Sequence, residues 1–175
     1  LYPTEPMFQD GVIADAVEDV SQNGVAYFSA VGNSARQSHT DTYTDSGIPG
    51  PNGGTFHDFD GNGSIQQRLT IPKEGTDATF VFQWADPYAS VSTTGIGADT
   101  DLNIYLEHVG PDTLVAQGDV SNVGGDPIEI ISFKNDTGDT SFDLLIECTA
   151  GCTGSQKPAQ MTYMFFESGI SVDQY

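Results

Sequence analysis

The pattern of hydrophobic and polar positions changes character along this chain, and its first part predicts a helix followed by a buried strand. Residues 10–23 carry apolar side chains three and four positions apart with acidic residues between them, which is typical of an amphipathic helix. Asp10 is suited to begin this helix and Gly24 to end it. Residues 25–31 (VAYFSAV) are apolar or small throughout, as in a parallel strand covered on both faces. Together they predict a helix–strand fragment of an α/β domain.

A polar stretch from Arg36 to Thr55, rich in Ser, Thr, Asp, Gly and Pro, follows this fragment and predicts a linker or long surface loop. Beyond it, apolar residues recur at every second position in short runs between Gly-, Asp- and Pro-rich turns. Because no helical stretch separates these runs, they predict a mainly β fold, a jelly-roll-like antiparallel β-sandwich. The predicted strands are 55–59, 64–71, 78–84, 102–107, 113–118, 128–134, 141–148 and 161–167.

These elements divide the chain into four parts: the helix–strand fragment 1–40, a linker 41–55, the sandwich 56–167 and an exit segment 168–175. The chain begins in the middle of a pattern, so we expect it to be an excised segment rather than to start at a natural N-terminus. The residues predicted to be largely buried between the two sheets are Trp84, Ile104, Leu106, Ile131, Phe133, Leu145 and Phe165.

The charge balance excludes one large class of partners. Five Lys and Arg stand against 25 Asp and Glu, a formal net charge of −20, so a nucleic-acid backbone would be repelled. The same charge favours bound cations and a salty medium, although a solvated acidic surface is the commoner explanation. The sequence contains no apolar run long enough to span a membrane.

The order of helix, Asn-Gly-Val at 23–25, apolar strand and then Gly32-Asn33 resembles the subtilisin-like serine proteases (subtilases) over about residues 5–36. In that family the strand carries an asparagine whose side-chain amide donates to the oxyanion of the tetrahedral intermediate. The resemblance therefore implies that Asn33 is the oxyanion donor of a parent enzyme. The alternative is that Asn33 is a turn residue that tolerates left-handed backbone geometry.

The catalytic triad motifs of that family are absent from this segment. Asp45-Ser46-Gly47 matches the family's Asp motif by letter, but it follows Asn33 and no hydrophobic strand leads into it. None of the three histidines is followed by glycine, and Gly-Thr-Ser does not occur. Without a nucleophile and a base there is no acyl transfer, so we expect the segment to be inert and the parent protein to be a serine endopeptidase. The serine motif would then lie beyond Tyr175.

Residues 77–148, which contain FVFQWADPYAS and GADTDLNIYLEH, resemble the pre-peptidase C-terminal-like domains of secreted bacterial proteases. The resemblance implies an extracellular bacterial protein, free or at the cell surface. Its implied role is substrate binding, stability or secretion, and its implied partners are the remainder of the parent protease and a protein or polysaccharide substrate. The alternative is a free-standing carbohydrate- or calcium-binding module.

Two acidic groups are candidate cation sites, and calcium is the only cofactor they suggest; no organic cofactor is expected. Asp86, Asp99 and Asp101 flank a loop rich in Ser, Thr and Gly, where carboxylates and carbonyls suit a hard cation. The second group is Asp58, Asp60 and Asn62, but the twelfth position of that loop is a leucine instead of the glutamate that an EF-hand requires. The alternative is solvated turn carboxylates for the first group and a hairpin turn for the second.

Cys148 and Cys152 are spaced for a short disulfide loop, with two free thiols as the alternative, since a zinc site would need two more ligands. Three aromatic residues, Trp84, Tyr88 and Tyr105, suggest either a platform for sugar or peptide or part of the sandwich core.

Overall fold

The protein is mainly β, with antiparallel sheets and one short helix, as the sequence predicts. The computed structural model describes residues 2–29, 37–73, 75, 77–153, 158, 160–166 and 169–173. The elements in this part of the chain are α1 (Val12–Gln22), β1 (Ser38–Asp41), β2 (Asp45–Pro49), β3 (Thr55–His57), β4 (Gln67–Thr70), β5 (Asp77–Trp84), β6 (Asp101–His108), β7 (Thr113–Gly118), β8 (Ile128–Lys134), β9 (Ser141–Ala150), β10 (Met161–Phe165) and β11 (Ser171–Val172).

The first sheet, sheet A, has four strands in the order β1-β10-β5-β8, and every neighbouring pair is antiparallel. Its central strand β5 directs Phe80, Phe82 and Trp84 into the core. In register with Phe82 lie Tyr163 on β10 and Glu129 on β8, so an acidic side chain enters the inner face of the sheet beside core aromatic residues.

The second sheet, sheet B, is organised around the long strand β9. Strand β6 pairs with β9 over its whole length and carries β7 on its outer side. On the opposite side of β9, β4 pairs with one half and β3 with the other, and they carry β11 and β2 respectively. A register shift between Asp101 and Leu102 marks the start of β6, where a loop from sheet A approaches.

The predicted core is confirmed for six of its seven residues. All seven residues named above are at most 9% exposed, and six of them belong to the cluster that fills the space between the sheets. Leu145 is also buried, but it lies on the opposite face of β9, since its neighbours Leu144 and Ile146 occupy the core. Burying each such side chain stabilises the fold by about 1.5–3 kcal/mol before chain entropy is subtracted.

All eight predicted strands are present, but the segment 41–55 is not merely a linker. It contains β2 and the start of β3, and it buries Tyr43, whose hydroxyl donates to the carbonyl of Thr55 at 2.9 Å. Strand β1, which begins within the predicted fragment 1–40, belongs to the sandwich as well. The sandwich therefore runs from Ser38 to Val172, because polar edge strands can pair through their backbone without an apolar pattern.

The predicted helix is confirmed, whereas the predicted strand after it is not observed. Gly11, not Asp10, is the N-cap residue of α1, and Gly24 follows the helix with a positive φ of 79°. Residues 25–29 have no regular secondary structure, and 30–31 lie outside the described residues. A parallel strand requires neighbouring strands for its hydrogen bonds, and no described strand pairs with 25–29.

Candidate functional site

The helix α1 exposes an apolar stripe. None of its residues is buried, and Val12 is 75% exposed. The segment that follows continues this surface, with Phe28 at 90% exposure. The residues that line the open apolar groove are Val12, Ile13, Ala16, Val17, Val20 and Tyr27. Isolated apolar residues on a surface are ordinary, but a contiguous apolar stripe of this kind indicates an interaction site.

Asn33, the predicted oxyanion donor, lies outside the described residues, and its role remains a prediction. The residues that match the Asp motif by letter are engaged in the sheet, where Ser46 donates its hydroxyl proton to the carbonyl of Phe56 at 2.7 Å. The buried His57 accepts the backbone N–H of Thr44 on Nδ1, so its Nε2 proton faces Asp41 at 3.3 Å. Burial lowers the pKa of His57, which keeps this ring neutral and structural.

Two of the three predicted cation ligands, Asp86 and Asp101, accept hydrogen bonds that hold neighbouring loops. The carboxylate of Asp86 accepts the hydroxyl of Thr100 at 2.6 Å and the backbone N–H groups of Thr100 and Asp99 at 2.8 and 3.1 Å. Asp101 accepts the N–H of Asn122 at 2.8 Å and the hydroxyl of Thr149 at 2.6 Å. Asp99 is exposed.

Among the described residues, no three His, Cys, Asp or Glu side chains come together as a metal site. Calcium stays a prediction of the sequence.

The second acidic group forms a compact turn over residues 58–64. Asp58 accepts the backbone N–H groups of residues 60, 61 and 63, and Asp60 accepts those of Asn62 and Ser64. The hydrogen bonds from Asn62 and Ser64 lower the pKa of Asp60. The carboxylates at 58 and 60 therefore shape the turn, while Asn62 donates its amide to the carbonyl of Asp60. The turn connects β3 to β4, which each pair with β9 and not with each other, so the predicted hairpin is not formed.

Cys148 and Cys152 are joined in a disulfide, with their Cα atoms 6.2 Å apart. The bond closes the end of β9 onto the turn at Gly151, which has a positive φ of 76°. Residues 53–55 lie beside it and line the same shallow pocket.

The three aromatic residues do not form an exposed platform. Trp84, Tyr88 and Tyr105 are all at most 3% exposed. The hydroxyl of Tyr88 donates to the side-chain oxygen of Gln83 at 2.6 Å, and burial raises the pKa of Tyr88. The core alternative therefore describes Trp84, while the two tyrosines are parts of buried polar networks.

Sequence reasoning missed a buried network on the outer face of sheet B. Glu147 is fully buried and accepts the backbone N–H groups of Asn52 and Gly54 at 3.0 and 2.9 Å and the hydroxyl of Tyr105 at 2.6 Å. Asn52 and Asn103 donate their amides to that hydroxyl at 2.8 and 3.0 Å. The network fastens the turn 50–54 over the sheet. The signal in the sequence is an acid within the apolar run of β9.

A second missed acid, Glu129, lies between the sheets at their edge. It is 5% exposed and accepts the backbone N–H of Val120 at 3.0 Å. The pKa of Glu129 is raised to about 7, mainly by burial; the hydrogen bond from Val120 opposes this rise, and the negative charges of Asp101 and Asp119 add to it. This carboxyl group changes its charge near neutral pH.

Comparison of the whole chain with protein-family models, with curated proteins and with solved structures finds no match. No helix in the described part of the chain is long and apolar enough to cross a membrane. The assignment of a function therefore depends on the surfaces and networks of this chain and on the resemblance of its residues 5–36 to the subtilases.

Proposed function

We propose that this chain is a non-catalytic accessory β-sandwich of a secreted subtilisin-like serine protease, together with a helix that belongs to the protease domain. The parent protein hydrolyses peptide bonds, and Asn33 serves as its oxyanion donor. The sandwich contributes substrate binding, stability or secretion. The sequence pattern at 5–36 suggests the family, and the exposed stripe of α1 is the single observation that carries the proposal.

The stripe supports the proposal of a partner surface that covers α1, because the core of the sandwich is complete without this helix. The inter-sheet core is built from strand residues and their adjoining loops, and α1 contributes no residue to it. An amphipathic helix gains most of its stability from burying its apolar face, yet Val12 remains 75% exposed and Val20 38% exposed. A helix of this kind is stable when a further layer, such as the sheet of an α/β domain, covers its stripe.

The charge of α1 predicts the charge at the rim of that partner surface. The helix carries Asp15, Glu18 and Asp19 and no basic residue. A second copy of this chain would bring two acidic helices together, at a cost in repulsion that is largest at low salt. The complementary surface is therefore apolar in its centre and basic at its rim.

Substitutions in the stripe test this proposal. Val12→Asp and Val20→Asp should change the unfolding free energy of the 175-residue chain by no more than about 0.5 kcal/mol, because both valines are exposed there. In the parent protein the same changes bury an unpaired charge, so folding and proteolytic activity should be lost. Val123→Asp is the matched control, since this valine is 55% exposed on a loop of the sandwich. Full proteolytic activity of the parent protein carrying Val12→Asp or Val20→Asp would refute the proposal.

The enzymatic part of the proposal has a separate test. The 175-residue chain should neither hydrolyse peptides nor react with serine-directed phosphonates, because it holds no triad motif. The parent gene should encode the Asp and His motifs before residue 1 and Gly-Thr-Ser after residue 175. A gene without those motifs would leave a free-standing binding module as the better description.

A further inference from the structure

The residues before α1 lie across the outer face of sheet A and are held there by one buried side chain. Gln83 follows Phe82 and precedes Trp84 on β5, and since both of these point into the core, Gln83 points to the outer face. An outward residue on a sandwich strand is normally solvated, yet Gln83 is fully buried. We call residues 3–9, which cover it, the strap.

The amide of Gln83 uses its full hydrogen-bonding capacity on this contact. Its nitrogen donates to the carbonyls of Pro3 and Glu5, each at 3.1 Å. Its oxygen accepts the backbone N–H of Met7 at 2.9 Å and the hydroxyl of Tyr88 at 2.6 Å. Two donors and two acceptor sites are all that a glutamine amide offers, so the strap leaves none of them unmet.

A second contact fixes the end of the strap. The side-chain oxygen of Gln9 accepts the backbone N–H of Tyr88 at 3.0 Å. The strap is therefore bound to β5 near its start and to the loop after β5 at its end, and the contacts of Gln83 with backbone atoms of Pro3, Glu5 and Met7 fix its path.

Glu5 connects this strap to the helix. Its backbone carbonyl is bound by Gln83, and its carboxylate accepts the backbone N–H of Ile13 at 3.1 Å. Ile13 lies in the first turn of α1, where N–H groups have no partner within the helix, and the N-cap residue Gly11 has no side chain to supply one. A β-carbon at Gly11 would lie 2.7 Å from the Glu5 carboxylate, so the glycine permits this close approach.

We propose that Gln83, Tyr88 and Glu5 form a clasp that makes α1 and the sandwich one rigid unit. The inference rests on the proposed function, in which α1 belongs to the protease domain. The clasp then orients the sandwich on the protease through residues that precede the helix. The sandwich is in this way a fixed part of the enzyme rather than a module on a flexible tether. Glu5 and Gln83 are positioning residues.

The distance between the helix and the sandwich tests the clasp. Spin labels on Ser21→Cys in α1 and Ser132→Cys on β8, both exposed, report that distance by double electron–electron resonance. The otherwise unchanged chain should give one narrow distribution. Glu5→Ala and Gln83→Leu should abolish the narrow peak, whereas Glu5→Gln, which keeps an acceptor oxygen, should retain it. Glu18→Ala is the control, because it removes an exposed glutamate from the same helix.

Hydrogen exchange of single amides gives a readout that global stability does not move. Glu5→Ala should remove protection at Ile13, and Gln83→Leu should remove it at Met7, while amides in β9 keep theirs. A broad spin-label distance distribution in the otherwise unsubstituted chain, or a narrow one that survives both Glu5→Ala and Gln83→Leu, would overturn the clasp. A parent gene without protease motifs would instead overturn the proposed function and leave these distances unchanged.

Discussion

Glu129 makes the stability of the sandwich depend on pH in a direction opposite to that of most acidic residues. Its pKa rises from 4.5 to about 7 in the fold, chiefly through burial, with Asp101 and Asp119 adding repulsion. Between these two values the unfolded chain has lost the proton while the folded chain keeps it. The free energy of unfolding therefore falls as pH rises through this window and levels off above about pH 7.

The size of this effect follows from the two pKa values. At 1.36 kcal/mol for each factor of ten in proton affinity, Glu129 costs the fold about 3 kcal/mol at pH values above its folded pKa. Glu129→Gln removes the titration, and its side-chain oxygen can still accept the N–H of Val120. Gly118 packs closely against this side chain, since a β-carbon at Gly118 would lie 2.6 Å from the Glu129 carboxylate. A residue larger than glutamine would therefore not fit at position 129.

Urea denaturation of the two proteins from about pH 5 to about pH 8.5 measures the difference directly. The unfolding free energy of Glu129→Gln should nearly equal that of the unsubstituted 175-residue chain at the acidic end and exceed it by about 3 kcal/mol at the alkaline end. Glu18→Gln, which removes an exposed carboxylate, controls for the loss of one negative charge. If the difference in unfolding free energy between Glu129→Gln and the unsubstituted chain stays constant with pH, the carboxyl group is not titrating in a buried site.

Three further substitutions probe the loops. Gly54→Ala should destabilise the fold by about 3 kcal/mol or prevent folding, as measured by thermal denaturation, because its β-carbon would overlap the backbone carbonyl of Cys148. Asp86→Ala should cost about 2–4 kcal/mol in urea titrations and Asp86→Asn less, since the alanine leaves the two donors of Thr100 without an acceptor. Replacing Cys148 and Cys152 together by serine should cost about 2 kcal/mol of unfolding free energy in urea titrations, because a disulfide across so short a loop removes only that much entropy from the unfolded chain.

The sequence predicted the strands well where both periodicity and turns were present. Strands β5 and β6 alternate or run apolar between glycine-rich turns, so their inward residues could be named in advance. In β9 the apolar run is continuous and does not show which face is inward, and Leu145 was assigned to the wrong face. Strands β1 and β2 could not, because their residues are polar and their pairing depends on partners over 100 residues away or on a tight turn. Tertiary pairing, rather than local preference, makes them strands.

The polar sites were harder to predict for a related reason. Asp86 and Asp101 were named as candidate cation ligands, which stays a prediction, and the hydrogen bonds that their carboxylates accept from backbone and hydroxyl groups of the neighbouring loops were not foreseen. Gln83 and Glu147 carry no local signal of the backbone groups that they bind, since Pro3 lies 80 residues from Gln83 and Gly54 lies 93 residues from Glu147. A polar residue inside an apolar strand indicates that something covers it, and only the fold shows what that is.

The network around Glu147 allows a quantitative test of this last point. Glu147→Gln can keep the N–H groups of residues 52 and 54 on its oxygen, but it replaces a charged acceptor for the Tyr105 hydroxyl by a donor, which should cost about 1.5–3 kcal/mol. Tyr105→Phe removes the same bond from the other side.

Because both substitutions break one shared interaction, the double variant should lose less stability than the two losses combined, by at least about 0.5 kcal/mol. Tyr88→Phe with Glu147→Gln is the control pair, since Tyr88 donates to Gln83 in a separate network, and its effects should add. The measurement is urea denaturation of all variants at one pH. Strict additivity of the Glu147 and Tyr105 effects would show that the buried carboxylate and the hydroxyl do not depend on each other, and that the turn 50–54 is held by backbone contacts alone.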